Sequence, residues 1–377
     1  MAELPITHFI KDIIMATQFS VQVGTTNTDS TGSSANLTTA NEILSQASTP
    51  TSVTATETEY KTTAPAAAAT YLDLSTPLDE ITVTADYWNA TGQKEVSIDA
   101  VNSNVTLTNF VDVDVDLSTS DLGVSTDVLN AKRGQIETGS GDDVVNVSVQ
   151  TNSSGWSNTF DIDTGAGNDT ITMQNVLNSK YTMFDIDAGT GDDTIDVSSI
   201  SANDSIFDSA YERSLLGGSG KDNITGSQGN DYIDGGTGAD TIAAGKGNDI
   251  VTFDSNDISV DGGDGFDALV VSKGFSMIST TKFTDFEAII GETGVENDVY
   301  TDLSDGLIVA LGGGDSDDDL YFSTDADFAL DTIATLDAST LTTLTSDGVD
   351  TSLLNAYTAT IEDGSHYTVW TDVDLLA

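Results

Sequence analysis

From about residue 71 the chain alternates apolar and polar positions in short runs. Examples are ITVTADYW (81–88), VTLTNF (105–110) and VDVDVDLS (111–118), each bounded by Asn, Gly, Ser or Asp. A period of two puts successive side chains on opposite faces and predicts β-strands. In the third run Val111, Val113 and Val115 share one face and Asp112, Asp114 and Asp116 the other. It reads as a half-buried strand with a solvated acidic face, or as a cation-binding ladder. Upstream the period changes. Ile6, Phe9, Ile10, Ile13 and Ile14 recur at helical spacing and predict a short N-terminal helix over 4–16. Such a helix packs on its own domain or docks on a neighbouring subunit. Residues 20–70 are rich in Thr, Ser, Ala and Asn, the texture of a linker, loosely ordered β-structure or an assembly arm.

A longer period overlies the alternation. Residues 217–252 read GGSGKDNIT, GSQGNDYID, GGTGADTIA and AGKGNDIVT, four nine-residue units without a gap. The template also fits 138–146, 164–172, 188–196 and 262–270, which makes eight copies. Place six is Asp in all of them: Asp143, Asp169, Asp193, Asp222, Asp231, Asp240, Asp249 and Asp267. Place four is Gly141, Gly167, Gly191, Gly220, Gly229, Gly238, Gly247 and Gly265. Place two is Gly139, Gly165, Gly189, Gly218, Gly236, Gly245 and Gly263, with Ser227 as the exception. Place eight is always aliphatic, from Val145 to Leu269. A ninth, degenerate copy at 313–321 has Ser316 at place four and Asp318 at place six.

This spacing suits metal binding. Glycines at places two and four permit positive φ and a turn tight enough to aim carbonyls inward. Calcium takes six to eight oxygens, mixing carbonyls with carboxylates. One short loop cannot supply that number, but two loops stacked by a solenoid can. The aliphatic residue at place eight sits in a brief strand and points into the core. Starts nine residues apart make a coil of eighteen with loops on opposite edges. Starts at 138, 164, 188 and 217 leave one loop per coil and a longer return. A metal column is therefore expected along one edge of 138–222 and along both edges of 217–270. The step from 244 to 262 is one coil that lacks one of its loops.

The units resemble the GGxGxDxUx nonapeptide of the RTX (repeats-in-toxin) proteins, a calcium-binding repeat that builds a parallel β-helix. The resemblance covers about 138–270, and KFTDFEAIIGETG (282–294) resembles the segment that often follows such arrays. It implies an all-β chain, a parallel β-roll or β-helix solenoid stapled by several Ca²⁺ ions. The Asp and Gly residues of places two, four and six would form the metal sites. It also implies a bacterial, extracellular or cell-surface protein exported by type I secretion through an uncleaved C-terminal signal. The ending HYTVWTDVDLLA reads as such an acidic-apolar tail or as a last strand. The organisation expected is an N-terminal segment (1–70), a β-rich lead-in (71–136), the repeat body (137–272) and a β-rich C-terminal cap (273–377).

Composition sharpens this. The chain has 377 residues, with 62 Asp and Glu against 11 Lys and Arg, a formal charge of −51. Only 12 of the acids are Glu, and no Lys or Arg follows Lys282. So large a single-sign charge repels itself unless cations neutralise it. Nucleic acid is excluded as a partner, because its phosphates would be repelled as well. There is no Cys to staple the fold, which leaves metal for that role. The N-terminus begins acidic and is not a secretory leader, and no apolar stretch reaches the length of a membrane span.

Catalytic motifs are missing. His8 and His366 are the only histidines, too few for an HExxH zinc site, and no G-x-S-x-G elbow occurs. A non-enzymatic role is therefore expected. The first reading is a calcium-dependent structural protein that self-assembles into a surface layer (S-layer) or filament, held to cell-surface polysaccharide or lipopolysaccharide. The alternatives are a secreted adhesin or biofilm-matrix protein and, third, a secreted enzyme carrying the repeat as a module.

Overall fold

The computed structural model describes residues 95–150, 158–175, 182–201, 213–271, 282–291 and 354–361. It also describes Ser352 and the strands Gln18–Val23, Glu59–Thr62, Ala69–Leu74, Glu80–Ala85, Asp298–Thr301, Leu307–Ala310, Asp319–Phe322, Ala326–Leu330 and His366–Thr371. The proposed helix at 4–16 and the degenerate-repeat residue Asp318 lie outside the described residues.

The chain coils as a two-faced parallel β-solenoid. One sheet of 12 strands runs from Glu59–Thr62 and Gln18–Val23 through Val144–Val149 to Phe283–Thr284. A second of 15 strands runs from Ala69–Leu74 through Asn158–Asp163 to Leu307–Ala310. Each coil contributes one strand to each sheet, and neighbours pair in parallel. Two places break chain order. Glu59–Thr62 lies outside Gln18–Val23 at the start of the first sheet. At the far end of the second, His366–Thr371 pairs in parallel with Leu307–Ala310. It then pairs antiparallel with Asn355–Ile361, which takes Ala326–Leu330 as its other antiparallel neighbour.

The core lies between the sheets. Every aliphatic residue at place eight is at most 1% exposed, and Val113, Val115, Ile136, Phe160, Ile162 and Ile186 continue the same cluster. Strand Asp112–Asp116 buries its valines and turns its aspartates outward, as the alternation predicts. Neighbouring coils repeat the choice, so identical positions stack. Phe160 pairs with Phe184, Ile162 with Ile186, Ile171 with Ile195 and Ile195 with Ile224. Phe253, Phe283 and Phe286 meet edge to face with centroids 6.0 and 6.3 Å apart.

The outer face of the second sheet changes character along its length. Asp99, Asp116, Glu137, Asp163 and Asp187 stand in register on successive strands. Burial raises the pKa of Asp163, and the charge of Asp187 beside it raises it further. Further on, the same face turns apolar. Ile250, Ala268, Ala288, Ile308, Ala356 and Trp370 form a second core outside the first, flanked by Tyr232 and Leu354.

The loop strands follow from close stacking. Ser219–Gly220 pairs with Thr237–Gly238 on one edge, and Lys246–Gly247 with Asp264–Gly265 on the other. A Cβ added at Gly238, where φ is +154°, would overlap the carbonyl oxygen of Gly220 in the coil beneath. Ile171→Ala in this core is expected to cost about 2–5 kcal/mol, because the stacked coils cannot collapse into the cavity. The exposed Gln174→Ala should stay within about 0.5 kcal/mol. Urea unfolding in saturating calcium measures both.

Candidate metal centre

The eight repeat aspartates form two columns, one on each edge. The first holds Asp143, Asp169, Asp193, Asp222 and Asp240. In it the backbone N–H of each of the first four donates to the Oδ1 of the next, at 2.7, 2.7, 2.8 and 2.8 Å. The sequence steps are 26, 24, 29 and 18 residues, yet the contact does not change. The second column holds Asp231, Asp249 and Asp267, joined the same way at 2.8 Å with steps of 18. The one-edge and two-edge arrangement predicted from repeat spacing is therefore the arrangement observed.

These side chains are buried, each at most 2% exposed. A buried carboxylate has to be neutralised or fully bonded. One oxygen of each meets a backbone N–H. The other, Oδ2, has no hydrogen-bond partner in Asp169, Asp193, Asp222, Asp240, Asp249 and Asp267. Burial pushes the carboxyls up, to about 6 for Asp169 and Asp222, about 7 for Asp193 and Asp267, and about 9 for Asp249. Neighbouring aspartates add to the shift, for example Asp231 and Asp267 at Asp249. Asp240 is raised in the same way. Two rows of desolvated anions, six of the eight with an oxygen left over, fit a divalent cation.

The donor set agrees. Among the described residues no three acidic or histidine side chains converge on one point. Two stacked loops offer their place-six carboxylates, and backbone carbonyls must complete the shell, a mixture calcium accepts. At Gly217 and Gly235, both at place one, an added Cβ would come within 2.7 Å of the Oδ2 of Asp222 and Asp240. A side chain there would crowd the unpartnered oxygen.

Positive φ is found at most of the predicted glycines: Gly141, Gly165, Gly167, Gly189, Gly191, Gly218, Gly220, Gly236, Gly238, Gly245, Gly247 and Gly263. It is not found at Gly139, Gly229 or Gly265. At Gly139 and Gly265 the reason for glycine is steric instead. A Cβ would collide with the carbonyl of Ser120 or of Gly247 in the adjoining coil.

Several site residues escape the nonapeptide pattern. The loop missing between 244 and 262 is a short turn that still supplies a carboxylate. Asp257 is 1% exposed and accepts from the N–H of Asp240 at 3.4 Å and of Asp254 at 2.7 Å. Its carboxyl is pushed up by burial to about 7. Glu287 ends the second column, accepting from the N–H of Asp267 at 2.8 Å. Its longer side chain suits a turn that lacks the glycines. Asp257 follows Asp240 by 17 residues and Glu287 follows Asp267 by 20, close enough to the coil length to have been found by looking for any acid one turn on. Place five forms a second ladder further out. Asp142 accepts from the N–H of Asn168, Asn168 from Asp192 and Asp192 from Lys221, at 2.8, 2.8 and 2.9 Å. On the other edge Asn230 accepts from Asn248, and Asn248 from Phe266. Where place five is Asp or Asn its side chain supplies the acceptor, and Lys221 and Phe266, which end these ladders, only donate their N–H.

Comparison with known proteins agrees with this geometry. Residues 216–251 match the model of the RTX calcium-binding nonapeptide repeat, in four copies. No curated protein and no solved structure matches the chain. RTX repeats bind calcium ions and are typical of extracellular proteins exported by type I secretion. Among the described residues no helix is long and apolar enough to cross a membrane. The chain is therefore a carrier of the RTX calcium-binding nonapeptide repeat, wound into a parallel β-solenoid.

Proposed function

We propose that this protein is a non-enzymatic, secreted structural protein that folds on meeting calcium and then assembles, copy on copy, into a surface layer or filament. The observation that carries the calcium step is the pair of buried Asp columns with unpartnered Oδ2 atoms. The ligands assigned are Asp169, Asp193, Asp222, Asp240, Asp249 and Asp267, completed by carbonyls of the glycine loops. When bound, calcium supplies positive charge between loops that otherwise repel. The chain's own contribution is to hold the carboxylates in place through the Asp amide-to-Oδ1 bonds.

The assembly step rests on sheet edges. In the described residues the sheets end on Glu59–Thr62 and Phe283–Thr284, and on Ala69–Leu74 and Ala326–Leu330. Strand edges at both ends of a solenoid invite head-to-tail pairing, which propagates rather than closes. Within each copy, a cytoplasm poor in calcium would leave the columns charged and the coils apart. The extracellular medium would close them.

Three outcomes are expected. First, protein purified in chelator should gain β-type circular dichroism on addition of millimolar calcium, then form sheets or fibres visible by negative-stain microscopy. A folded monomer that persists at high concentration would refute assembly and favour an adhesin, and an unchanged spectrum would refute the calcium step. Second, Asp222→Asn should raise the calcium midpoint of folding by more than the roughly tenfold that loss of an outer-shell partner costs. Asp142→Asn, which keeps an acceptor where Asn168 already uses one, should stay within about twofold.

The third concerns pH. An acid whose pKa is raised on folding binds more protons folded than unfolded. Metal-free stability is then lost as pH rises from the ordinary carboxylate range through about 6 to 9. Protons on the same carboxyls substitute in part for calcium. The calcium midpoint of folding should therefore fall as pH drops from 8 to 5, because the unfolded carboxyls, with ordinary pKa values of about 4, carry no proton for calcium to displace. A midpoint independent of pH would show that folding does not raise the pKa of these carboxyls.

A further inference from the structure

The second column opens on a loop unlike the others. Its head, Asp231, is not among the carboxylates with an unpartnered Oδ2. The loop 226–231 has Ser227 at place two, where the other seven copies have Gly. Ser227 is 2% exposed; its N–H donates to Asp231 Oδ2 at 2.6 Å and its hydroxyl lies 2.9 Å from Asp231 Oδ1. In the coil beneath, the sequence from 197 to 212 on this edge contains no Gly to build such a loop. Gln228 instead donates its N–H to the carbonyl of Ile200 at 3.0 Å.

A cation already stands there. Arg213 is 1% exposed, the largest of the fully buried side chains among the described residues. Its Nη1 donates to Ser227 Oγ at 2.9 Å, its Nε to the carbonyl of Thr182 at 2.9 Å and its Nη2 to the carbonyl of Ser201 at 3.1 Å. The guanidinium carbon lies 5.9 Å from the ring centroid of Phe184. Burying a guanidinium is costly unless it is bonded and faces negative charge. Here it is held by two carbonyls below and reaches, through one hydroxyl, the first carboxylate above. Its charge also acts on Asp249, the next member of the column. The head of the first column has a different solution. Asp143 accepts from the amides of Val124 at 2.7 Å and Gly139 at 3.3 Å.

We propose that Arg213 is the built-in first cation of the second column. Through Ser227 it closes loop 226–231 in the role calcium plays higher up, so that this loop takes no calcium from below. The loop is then the platform on which 244–249 and 262–267 stack as calcium arrives. The second column begins in mid-solenoid, where no glycine loop lies beneath to form the lower half of a site. A side-chain cation at that point starts the column without a partner loop. This inference rests on the calcium reading above.

The test follows amide hydrogen exchange in the full chain while calcium is titrated. Peptides covering 226–234 are expected to gain protection at lower calcium than those covering 244–252 and 262–270. Protection of 226–234 together with or after those peptides would overturn the proposal. No gain of protection anywhere would instead overturn the calcium reading itself. Three variants sharpen the result. Arg213→Met keeps the length without the charge and should raise the calcium midpoint by about tenfold or more, as loss of a charge-assisted hydrogen bond does. Arg213→Lys should recover part of that. An Arg213→Met midpoint equal to wild type would overturn the proposal. The double variant R213M/S227G removes the guanidinium and restores Gly at place two, but no glycine loop beneath completes a site, so its calcium midpoint should rise at least as far as that of Arg213→Met. A midpoint back at the wild-type value would overturn the proposal, and if any variant fails to fold, the exchange order in the wild-type chain decides.

Discussion

A backbone amide of one coil donating to the Asp carboxylate of the next is the contact on which this fold turns. It repeats from Asp143 to Asp240 on one edge and from Asp231 to Asp267 on the other, although the chain between takes 18, 24, 26 or 29 residues to come round. Register cannot slip by one residue without moving every place-eight aliphatic out of the core. The carboxylate fixes register on the edge and the aliphatic fixes it in the middle. Both are set by the same nine residues.

The arrangement is self-opposing until a cation enters. Stacking identical units stacks identical charges, at a spacing where like charges destabilise a sheet. Inside the columns the carboxylates are buried and stacked on one another, so their mutual opposition is strong. On the acidic outer face, from Asp99 to Asp187, they remain partly solvated and the opposition is milder. Hydrophobic burial favours the coil, and charge disfavours it. A chain poised between these two is one whose folding an ion can control. Where the outer face turns apolar, from Ile250 to Trp370, it is buried in a second core.

The column ends show how a repeat is terminated. Asp143 is satisfied by the amides of Val124 in the preceding coil and of Gly139 in its own loop, and Asp231 by Ser227 with Arg213 behind it. At the other ends Asp257 and Glu287 accept the last amides from turns that are not nonapeptides. The interior of each column is uniform because each loop has a similar neighbour on both sides. Its ends are individual because one neighbour is missing and some other group has to take its place.

The division between sequence and tertiary structure follows from this. The solenoid, its two edges, the buried place-eight residues and the eight aspartates were legible in the chain, because each depends on a short motif repeated at a period close to one coil. The lead-in strands were legible as alternation, although not as coils of the same solenoid, since no glycine loop marks their turns. Asp257, Glu287, the place-five ladder and the pairing of Arg213 with Ser227 were decided only by folding. Each joins residues 14 to 29 positions apart through a contact that several residue types can make. A motif records what one unit needs from itself, whereas those contacts record what a unit needs from a neighbour that is not its copy.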